Sequence, residues 1–191
     1  MSFYDLIVSR RTVRQFQQNP IDEGILKAMV NAGRLAPSAA NHQPLEFVVV
    51  TEKYLCQKIY PFLKWAAYIA PEGDPKPGKQ PVSYIVTLVN KQIKTDGYQW
   101  DVGAANENMI LAGWEKGIAS CWLLSVNRKE VTKILDIPNH YLLDSVLALG
   151  YPEEDPVAED MDKSVKYWKD GNGRLHVPKR KLDQVIHFNG F

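Results

Sequence analysis

Residues 98–124 have the sequence YQWDVGAANENMILAGWEKGIASCWLL, in which a helical pattern leads directly into a strand pattern. Small or apolar residues recur there at three- and four-residue steps, at Val102, Ala105, Met109 and Ala112. This spacing predicts one long helix over 98–116, and Gly117 is a residue type that commonly ends a helix. The apolar run at 118–124 then predicts a buried strand. The molecule is therefore expected to be built around a central helix that leads into a sheet.

The rest of the chain predicts further strands and helices on both sides of this unit. Apolar, β-branched runs predict strands at 47–50, 82–89 and 145–149. Capping residues and helical spacing predict helices ending near Ser9, over about 20–35 and over 127–135, with one or two short helices in 52–70. The proline-bounded segment 37–44 and the proline-rich segment 71–81 are expected to be loops. Residues 152–191 carry too little apolar material to fold alone, so we expect them to wrap around a part that is already folded.

Length, charge and composition exclude several classes of protein. The chain has 191 residues, the size of one domain, and a formal net charge of +1. Because its charges are balanced, nothing favours nucleic acid or an anionic membrane surface as a partner. Its two cysteines and four scattered histidines give no disulfide framework and no metal site. No apolar run is long enough to span a bilayer, and the N-terminus lacks the pattern of a secretory signal, so we expect a cytoplasmic protein.

Three arginines, Arg10, Arg11 and Arg14, form the first candidate site. Residues four apart lie on the same side of both a helix and a strand, so the guanidinium groups of Arg10 and Arg14 are expected to converge. Two converging guanidinium groups favour an anion between them, and phosphate matches their hydrogen-bonding geometry. The same triplet is also typical of a basic face exposed to solvent, so the sequence leaves both interpretations open.

The loop at 37–44, with the sequence PSAANHQP, is the second candidate. Its small residues allow backbone N–H groups to approach a planar ligand closely. Asn41 and Gln43 can each donate and accept hydrogen bonds at the edge of a heterocycle. An ordinary helix-to-strand connection would have a similar composition. His42 could act as a base, although a single loop histidine is more often a surface residue.

Two further segments could face a ligand. The strand at 118–124 ends beside small residues that could present main-chain N–H groups, while Cys121 is expected to be a core cysteine. The basic cluster at 179–181 is either part of an anion site or a solvated tail. The chain contains no Gly-x-Ser-x-Gly, Gly-x-Gly-x-x-Gly or Walker motif. Nothing therefore supports a serine hydrolase, a Rossmann site or a P-loop site.

The ordered set of these motifs resembles the FMN-dependent nitroreductase family. The resemblance rests on RRTVR at 10–14, APSAANHQP at 36–44, DVGAA at 101–105 and GIASCW at 117–122. It implies an α+β fold over one domain, 1–191, in which a mostly antiparallel central sheet lies between two helical layers. It also implies a homodimer in which the C-terminal extension, 152–191, wraps the partner subunit, with two FMN sites at the interface.

The resemblance assigns roles to individual residues near the flavin. Arg10 and Arg11 would hold the phosphate and ribityl end of FMN, with Thr12 nearby. Arg14 would lie at the pyrimidine edge, where a cation stabilises negative charge on N1 and C2=O. The residues implied to contact FMN are Arg10, Arg11, Thr12, Arg14, Pro37, Ser38, Ala39, Asn41, Gln43, Leu124, Ser125, Lys179 and Arg180.

The remaining roles fall on three other segments. Loop residues at 37–41 would come from the partner subunit. Leu124 and Ser125 would direct backbone N–H groups to N5 and O4 of the flavin. Many members of the family have glycine at the position of Leu124. Lys179 and Arg180 would close on the phosphate.

The activity implied is that of an NAD(P)H-dependent FMN oxidoreductase with a ping-pong cycle. Hydride would pass from nicotinamide to flavin N5 and on to a nitroaromatic, a quinone or a similar small acceptor, with no side chain acting as acid or base. One alternative is a relative of the same fold that removes halogens or fragments flavin. Another is a flavin-binding or regulatory protein without turnover, if Leu124 blocks access to N5. A nucleic-acid-binding module is disfavoured because charge is balanced and no binding motif is present.

Overall fold

The computed structural model describes residues 2–161 and 163–191. Its α-helices are α1 (Phe3–Ser9), α2 (Glu23–Arg34), α3 (Lys53–Ile59), α4 (Tyr98–Glu115) and α5 (Arg128–Ile134). Its β-strands are β1 (Leu45–Val50), β2 (Ser83–Asn90), β3 (Ala119–Leu123), β4 (Tyr141–Gly150), β5 (Val157–Asp160), β6 (Trp168–Lys169) and β7 (Leu175–Lys179). Within the described residues, no helix is both long enough and apolar enough to cross a membrane.

Four antiparallel strands form the central sheet, in the order β1-β2-β4-β3. Nearly all of β2 is buried, because helices cover both faces of the sheet. On one face, Ile85 shares a buried cluster with side chains of α2 and α4. The next residue, Val86, lies on the other face and shares a cluster with side chains of α3 and α5. The predicted α+β sandwich of helices, antiparallel sheet and helices is confirmed.

Two glycines allow α2 and α4 to pack closely. A Cβ atom at Gly33 would lie 2.8 Å from Cγ of Met109, and one at Gly113 would lie 2.7 Å from Cε of Met29. Larger residues at these positions would require the methionines to move out of a closely packed core. The predicted central helix is confirmed, and the chain turns after it at Gly117, whose φ of 77° lies in the left-handed region.

The strand predicted at 145–149 is longer in the structure and begins at Tyr141. A register shift lies between Thr87 and Leu88 of the neighbouring strand β2. After this irregularity, pairing continues from Leu143 opposite Leu88 to the end of β2. The residue skipped by this pairing is Asp144 of β4, so the alternating pattern of the strand is interrupted there.

The C-terminal extension forms a small sheet that the sequence did not predict. β7 lies at its centre, parallel to β5 and antiparallel to β6. Leu175 of β7 is buried, and Asp162 lies outside the described residues. The exposed apolar side chains near the end of the chain are Leu182, Val185, Ile186, Phe188 and Phe191. That the extension wraps a partner subunit stays a prediction.

Candidate functional site

The arginine segment lies along the outer edge of β3. Val13 donates its N–H to the carbonyl of Ser120 (3.0 Å), and Thr12 forms a parallel bridge with the same residue. Val13 and Phe16 are fully buried, which fixes the segment against the sheet. Because side chains alternate along an extended chain, Thr12 and Arg14 project away from the face on which Val13 is buried.

Arg10 lies next to helix α4. Its Nε is 3.4 Å from Oε1 of Glu107, and 27% of its side chain is exposed. The Nε atom is buried, and no described atom accepts a hydrogen bond from it. A half-buried guanidinium with one carboxylate neighbour and an unused donor can bind an anionic ligand. This position favours the ligand-site interpretation of the arginine triplet over a basic face in solvent.

Arg14 contacts the C-terminal extension. Its Cζ atom is 5.4 Å from the ring centre of Tyr167, a cation–π distance. Its backbone N–H donates to the carboxylate of Glu154. The Nε atom is buried and has no hydrogen-bond partner among the described residues. Arg14 therefore keeps an unused donor in a partly buried position.

Cys121 of β3 lies beside Arg14 and is buried, as expected for a core cysteine. Burial raises the pKa of its thiol to about 11, although the neighbouring Arg14 guanidinium acts in the opposite direction. The thiol therefore stays protonated at neutral pH and is not an activated nucleophile.

Arg11 differs from the other two arginines. Its Nη1 donates to the carbonyls of Val8 (2.7 Å) and Arg10 (2.6 Å) at the end of α1. The side chain borders a hollow that also contains the acidic residues Glu153, Glu154 and Asp155. Its contacts in the structure are with the end of α1, and its contact with FMN stays a prediction.

The loop at 37–43 is mostly exposed, and a buried carboxylate holds it in place. The N–H of Ala39 donates to Oδ1 of Asp101 (2.9 Å), and Nζ of Lys94 lies 2.8 Å from the other carboxylate oxygen. Asp101 is 4% exposed and lies in the first turn of α4. Asp101, at the start of the central helix, therefore holds the loop at Ala39.

The backbone of this loop is strained. Three of its residues have φ angles in the left-handed region, at 50° for Ala40, 56° for Asn41 and 50° for Gln43. Ser38 supports this conformation, because its Oγ accepts a hydrogen bond from the N–H of Gln43 (3.1 Å). Such strain is common at ligand sites. Among the described residues, no hydrogen bond or ion pair joins the loop to the arginine segment.

Leu124 and Ser125 follow β3 directly. The side chain of Leu124 is 59% exposed, and the N–H groups of these two residues make no backbone hydrogen bond to another described residue. The carbonyl of Ser125 accepts a hydrogen bond from the N–H of Lys64 (3.0 Å). Both residues line a cavity of about 500 Å³, together with Phe62 and Asn127. The end of β3 thus offers backbone donors beside an open cavity.

Lys179 and Arg180 lie at the end of β7. The carbonyl of Lys179 accepts a hydrogen bond from the N–H of Met161 (2.6 Å), and Nη2 of Arg180 donates to the carbonyl of Gln184 (2.6 Å). Both contacts stay within the C-terminal extension. In the part of the chain that the structure describes, neither residue is hydrogen-bonded to the arginine segment.

The predicted site residues therefore fall into separate groups in one protomer. Arg10, Thr12 and Arg14 lie along β3, and Leu124 and Ser125 follow the end of the same strand. Among the described residues, the loop at 37–43 and the basic pair at 179–180 have no hydrogen bond or ion pair with either of these groups.

Sequence reasoning missed four residues that contact these groups: Asp101, Glu107, Glu154 and Tyr167. Glu154 is 140 positions from Arg14 along the chain, so no local pattern could have paired them. Only Asp101 gave a signal, since an acidic residue in the first turn of a helix lies close to unpaired backbone N–H groups.

Comparison with known proteins identifies the family. The nitroreductase family model matches residues 7–151, which include the arginine segment, the loop, Leu124 and Ser125. The chain belongs to the nitroreductase family. The family inferred from the sequence motifs is confirmed.

Proteins similar to this chain carry names of more than one activity. A protein from Archaeoglobus fulgidus with the provisional name NADH dehydrogenase/NAD(P)H nitroreductase is 31% identical over 78% of this chain and 85% of its own length. An FMN-dependent nitroreductase structure from Clostridium difficile R20291 has a TM-score of 0.72 at 21% identity, covering 98% of this chain and 99% of that one. An iodotyrosine deiodinase structure with bound FMN and 3-iodo-L-tyrosine has a TM-score of 0.69 at 24% identity, covering 86% of this chain and 97% of that one.

Proposed function

We propose that this nitroreductase-family protein binds FMN and uses NAD(P)H to reduce a small acceptor such as a nitroaromatic or a quinone. The observation that carries the proposal is the pair of half-buried arginines, Arg10 and Arg14, whose buried Nε atoms have no hydrogen-bond partner in the described structure, although that of Arg10 lies 3.4 Å from the carboxylate of Glu107. The segment that carries them lies beside β3, the strand that Leu124 and Ser125 follow. A phosphorylated flavin has the acceptors that these donors need, since phosphate oxygens suit guanidinium groups and ring oxygen and nitrogen atoms suit N–H groups. The residues present therefore fit FMN.

The residues of the chain would supply position and charge. Bound FMN supplies the hydride chemistry, which no side chain of the protein can provide. Arg10 binds the phosphate, and Arg14 places a positive charge near the pyrimidine edge. The N–H groups of Leu124 and Ser125 orient the opposite edge of the ring. No side chain needs to act as acid or base, because the cycle depends on holding each reactant against the flavin.

The cavity beside Leu124 favours an enzyme over a protein that binds flavin without turnover. The Leu124 side chain is exposed and lines this space without filling it. A volume of about 500 Å³ lies within the range of small-molecule sites. Phe62 offers an apolar surface and Lys64 a positive charge at its edge. A nicotinamide ring or a small aromatic acceptor would therefore have access to the edge of the flavin ring that the N–H groups of Leu124 and Ser125 bind.

We also propose that the active protein is a homodimer. The loop at 37–43 is held in a fixed shape but makes no polar contact with the arginines of its own chain in the described residues, so the partner's loop would complete each site. The exposed apolar side chains near the C-terminus would be covered by the same association. Sedimentation equilibrium of the FMN-loaded protein is expected to give twice the chain mass of 21.7 kDa.

The test of the function is spectroscopic. The purified protein, incubated with FMN and desalted, is expected to absorb at about 450 nm, to bleach with NADH or NADPH, and to regain colour when an acceptor is added. The acceptor panel contains a nitroaromatic, a quinone and a halogenated tyrosine. Protein that retains no flavin would refute the proposal, and a yellow protein that neither nucleotide bleaches would be a flavin-binding protein without this activity.

A further inference from the structure

Tyr167 of the C-terminal extension contacts both Arg14 and Tyr68. The ring centre of Tyr167 is 5.4 Å from Cζ of Arg14 and 4.9 Å from the ring centre of Tyr68. The backbone N–H of Tyr68 lies 3.4 Å from the Tyr167 hydroxyl. Tyr167 is half-buried, so it lies where the proposed flavin site meets the surface.

The other neighbours of Arg14 leave the guanidinium without a strong partner. Glu154 binds the backbone N–H of Arg14, and Cys121 is a neutral thiol, which is a weak acceptor. The Nε atom has no hydrogen-bond partner among the described residues. An arginine side chain has several rotatable bonds, so an aromatic surface against it limits the positions that the charge can take.

Tyr167 is itself held by contacts between the extension and the segment at 67–74. The ammonium group of Lys166 lies 5.9 Å from the ring centre of Tyr68. On the other side of Tyr167, Nζ of Lys169 donates to the carbonyl of Glu72 (2.8 Å). Contacts made by residues before and after Tyr167 therefore help to hold its ring in position.

We propose that Tyr167 is a positioning residue, which holds the Arg14 guanidinium where it can stabilise negative charge on the flavin. The C-terminal extension thereby tunes the preference of the site for reduced over oxidised FMN. This inference rests on the proposed function for the identity of the ligand. The ring of Tyr167 contacts Arg14, and its packing against the ring of Tyr68 sets where it lies.

The first measurement compares the dissociation constants of reduced and oxidised FMN. In Tyr167→Leu, the ratio of the reduced to the oxidised constant is expected to rise about two- to fivefold, a change of about 0.5–1 kcal/mol, because the Arg14 charge is no longer held beside the flavin. Tyr167→Phe keeps the ring and is expected to change the ratio by less than about twofold. An unchanged ratio in Tyr167→Leu overturns the proposal.

Two controls separate positioning from a general structural effect. Tyr54→Leu removes an exposed aromatic ring that contacts Lys58 at 4.4 Å on α3, and it is expected to leave the ratio unchanged. In an Arg14→Ala background, Tyr167→Leu is expected to have no further effect on the ratio, because the group that it positions is absent. Equal effects of Tyr167→Leu with and without Arg14 would show that Tyr167 does not act through the arginine.

A second readout needs no flavin. Crystal structures of the flavin-free wild type and of Tyr167→Leu are expected to show Arg14 ordered against the ring in the first and displaced or disordered in the second. An unmoved Arg14 in the variant overturns the proposal whether or not FMN binds. If the wild type binds no FMN, the proposed function fails, and these structures still decide whether Tyr167 positions Arg14.

Discussion

Arg14 is a single residue that three distant parts of the chain surround. β3 contributes Cys121, the segment after β4 contributes Glu154, and the C-terminal extension contributes Tyr167. Half-burial strengthens the effect of the Arg14 charge on a nearby ligand, because fewer water molecules screen it. A flavin gains negative charge when it is reduced, so this charge favours the reduced form.

Replacing Arg14 with alanine tests this effect directly. Arg14→Ala is expected to retain oxidised FMN with a modest loss of affinity, while reduced FMN binds about tenfold to a hundredfold more weakly. This range corresponds to the loss of an interaction with a charged group of about 1.5–3 kcal/mol. Titration with oxidised FMN in air and with chemically reduced FMN under anaerobic conditions measures both constants, and the flavin reduction potential should fall accordingly.

A surface lysine provides the control for Arg14. Lys27→Ala also removes one positive charge, but Lys27 is exposed on α2, where it pairs with Glu23 (2.7 Å). We expect it to leave the ratio of the two constants unchanged. If Lys27→Ala and Arg14→Ala shift the ratio equally, the effect comes from net charge and not from the position of Arg14.

Among the elements, the strands of the small C-terminal sheet are joined by the side-chain contacts of one histidine. Nδ1 of His176, on β7, lies 2.8 Å from a carboxylate oxygen of Glu159 on β5, and Nε2 lies 3.5 Å from Asp170, which follows β6. The ring stacks on Trp168 with the ring centres 4.2 Å apart. The hydrogen bond with Glu159 raises the pKa of His176 above its ordinary value of 6.5, against the opposing effect of burial, and Asp170 adds to the increase.

The stability of this sheet is therefore expected to depend on pH. Because the folded state raises the pKa of His176, the stabilisation is complete below pH 6.5 and is lost as the pH rises through the raised value. The pKa values of Glu159 and Asp170 are lowered by their hydrogen bonds, Glu159 chiefly by that with His176 and Asp170 by that with the N–H of Arg174. The stabilisation that Glu159 and Asp170 contribute is lost only at acidic pH, where their carboxylates become protonated. Hydrogen-exchange protection of the β7 amides should fall as the pH rises above 6.5.

Two histidine variants make the pH experiment specific. In His176→Gln, the protection of β7 should no longer change as the pH rises above 6.5. In His140→Gln, which alters a histidine outside this sheet whose ring is tilted against that of Tyr141, the pH dependence should persist. NMR titration of the His176 ring should give a midpoint above 6.5, and a midpoint at or below that value would contradict the assignment.

Across the whole molecule, a buried polar network joins the central helix to the sheet. Oδ1 of Asn106 accepts a hydrogen bond from Thr87 of β2 (2.9 Å), and its Nδ2 donates to Ser145 of β4 (3.1 Å). All three residues are fully buried. Buried polar groups of this kind fix one arrangement of the layers, because any other packing leaves them without partners.

Removing the centre of this network should destabilise the protein. Asn106→Ala leaves the hydroxyls of Thr87 and Ser145 without their amide partner, so the free energy of unfolding is expected to fall by about 1–3 kcal/mol. Urea denaturation monitored by circular dichroism measures this change. Asn108→Ala on the same helix is the control, since Asn108 is half-buried and donates to the carbonyl of Ala32 (3.2 Å). An equal fall in the free energy of unfolding of Asn108→Ala would show that the buried network stabilises the protein no more than the single hydrogen bond of Asn108.

Local patterns predicted much of the fold but not its later part. The apolar spacing and Gly117 located α4 and β3, because both signals depend on neighbours in sequence. The first residues of β4 lie beyond Asp144, an unpaired residue that interrupts the alternation of the strand, and β5, β6 and β7 are too short to show a periodic pattern. The loop at 37–44 was predicted in place, but its left-handed backbone is supported by Asp101, a residue of another element.

The sequence by itself determined the order of helices and strands as far as β4, the central helix and the arginines of the candidate site. These depend on periodicity, capping and residue chemistry, which act over a few positions. Only the tertiary structure decided that Arg11 turns to the end of α1 while Arg10 and Arg14 keep unused donors. It also decided that Tyr167 lies against Arg14. Tyr167 and Arg14 are far apart along the chain, and only the packing of helices and sheets brings them together.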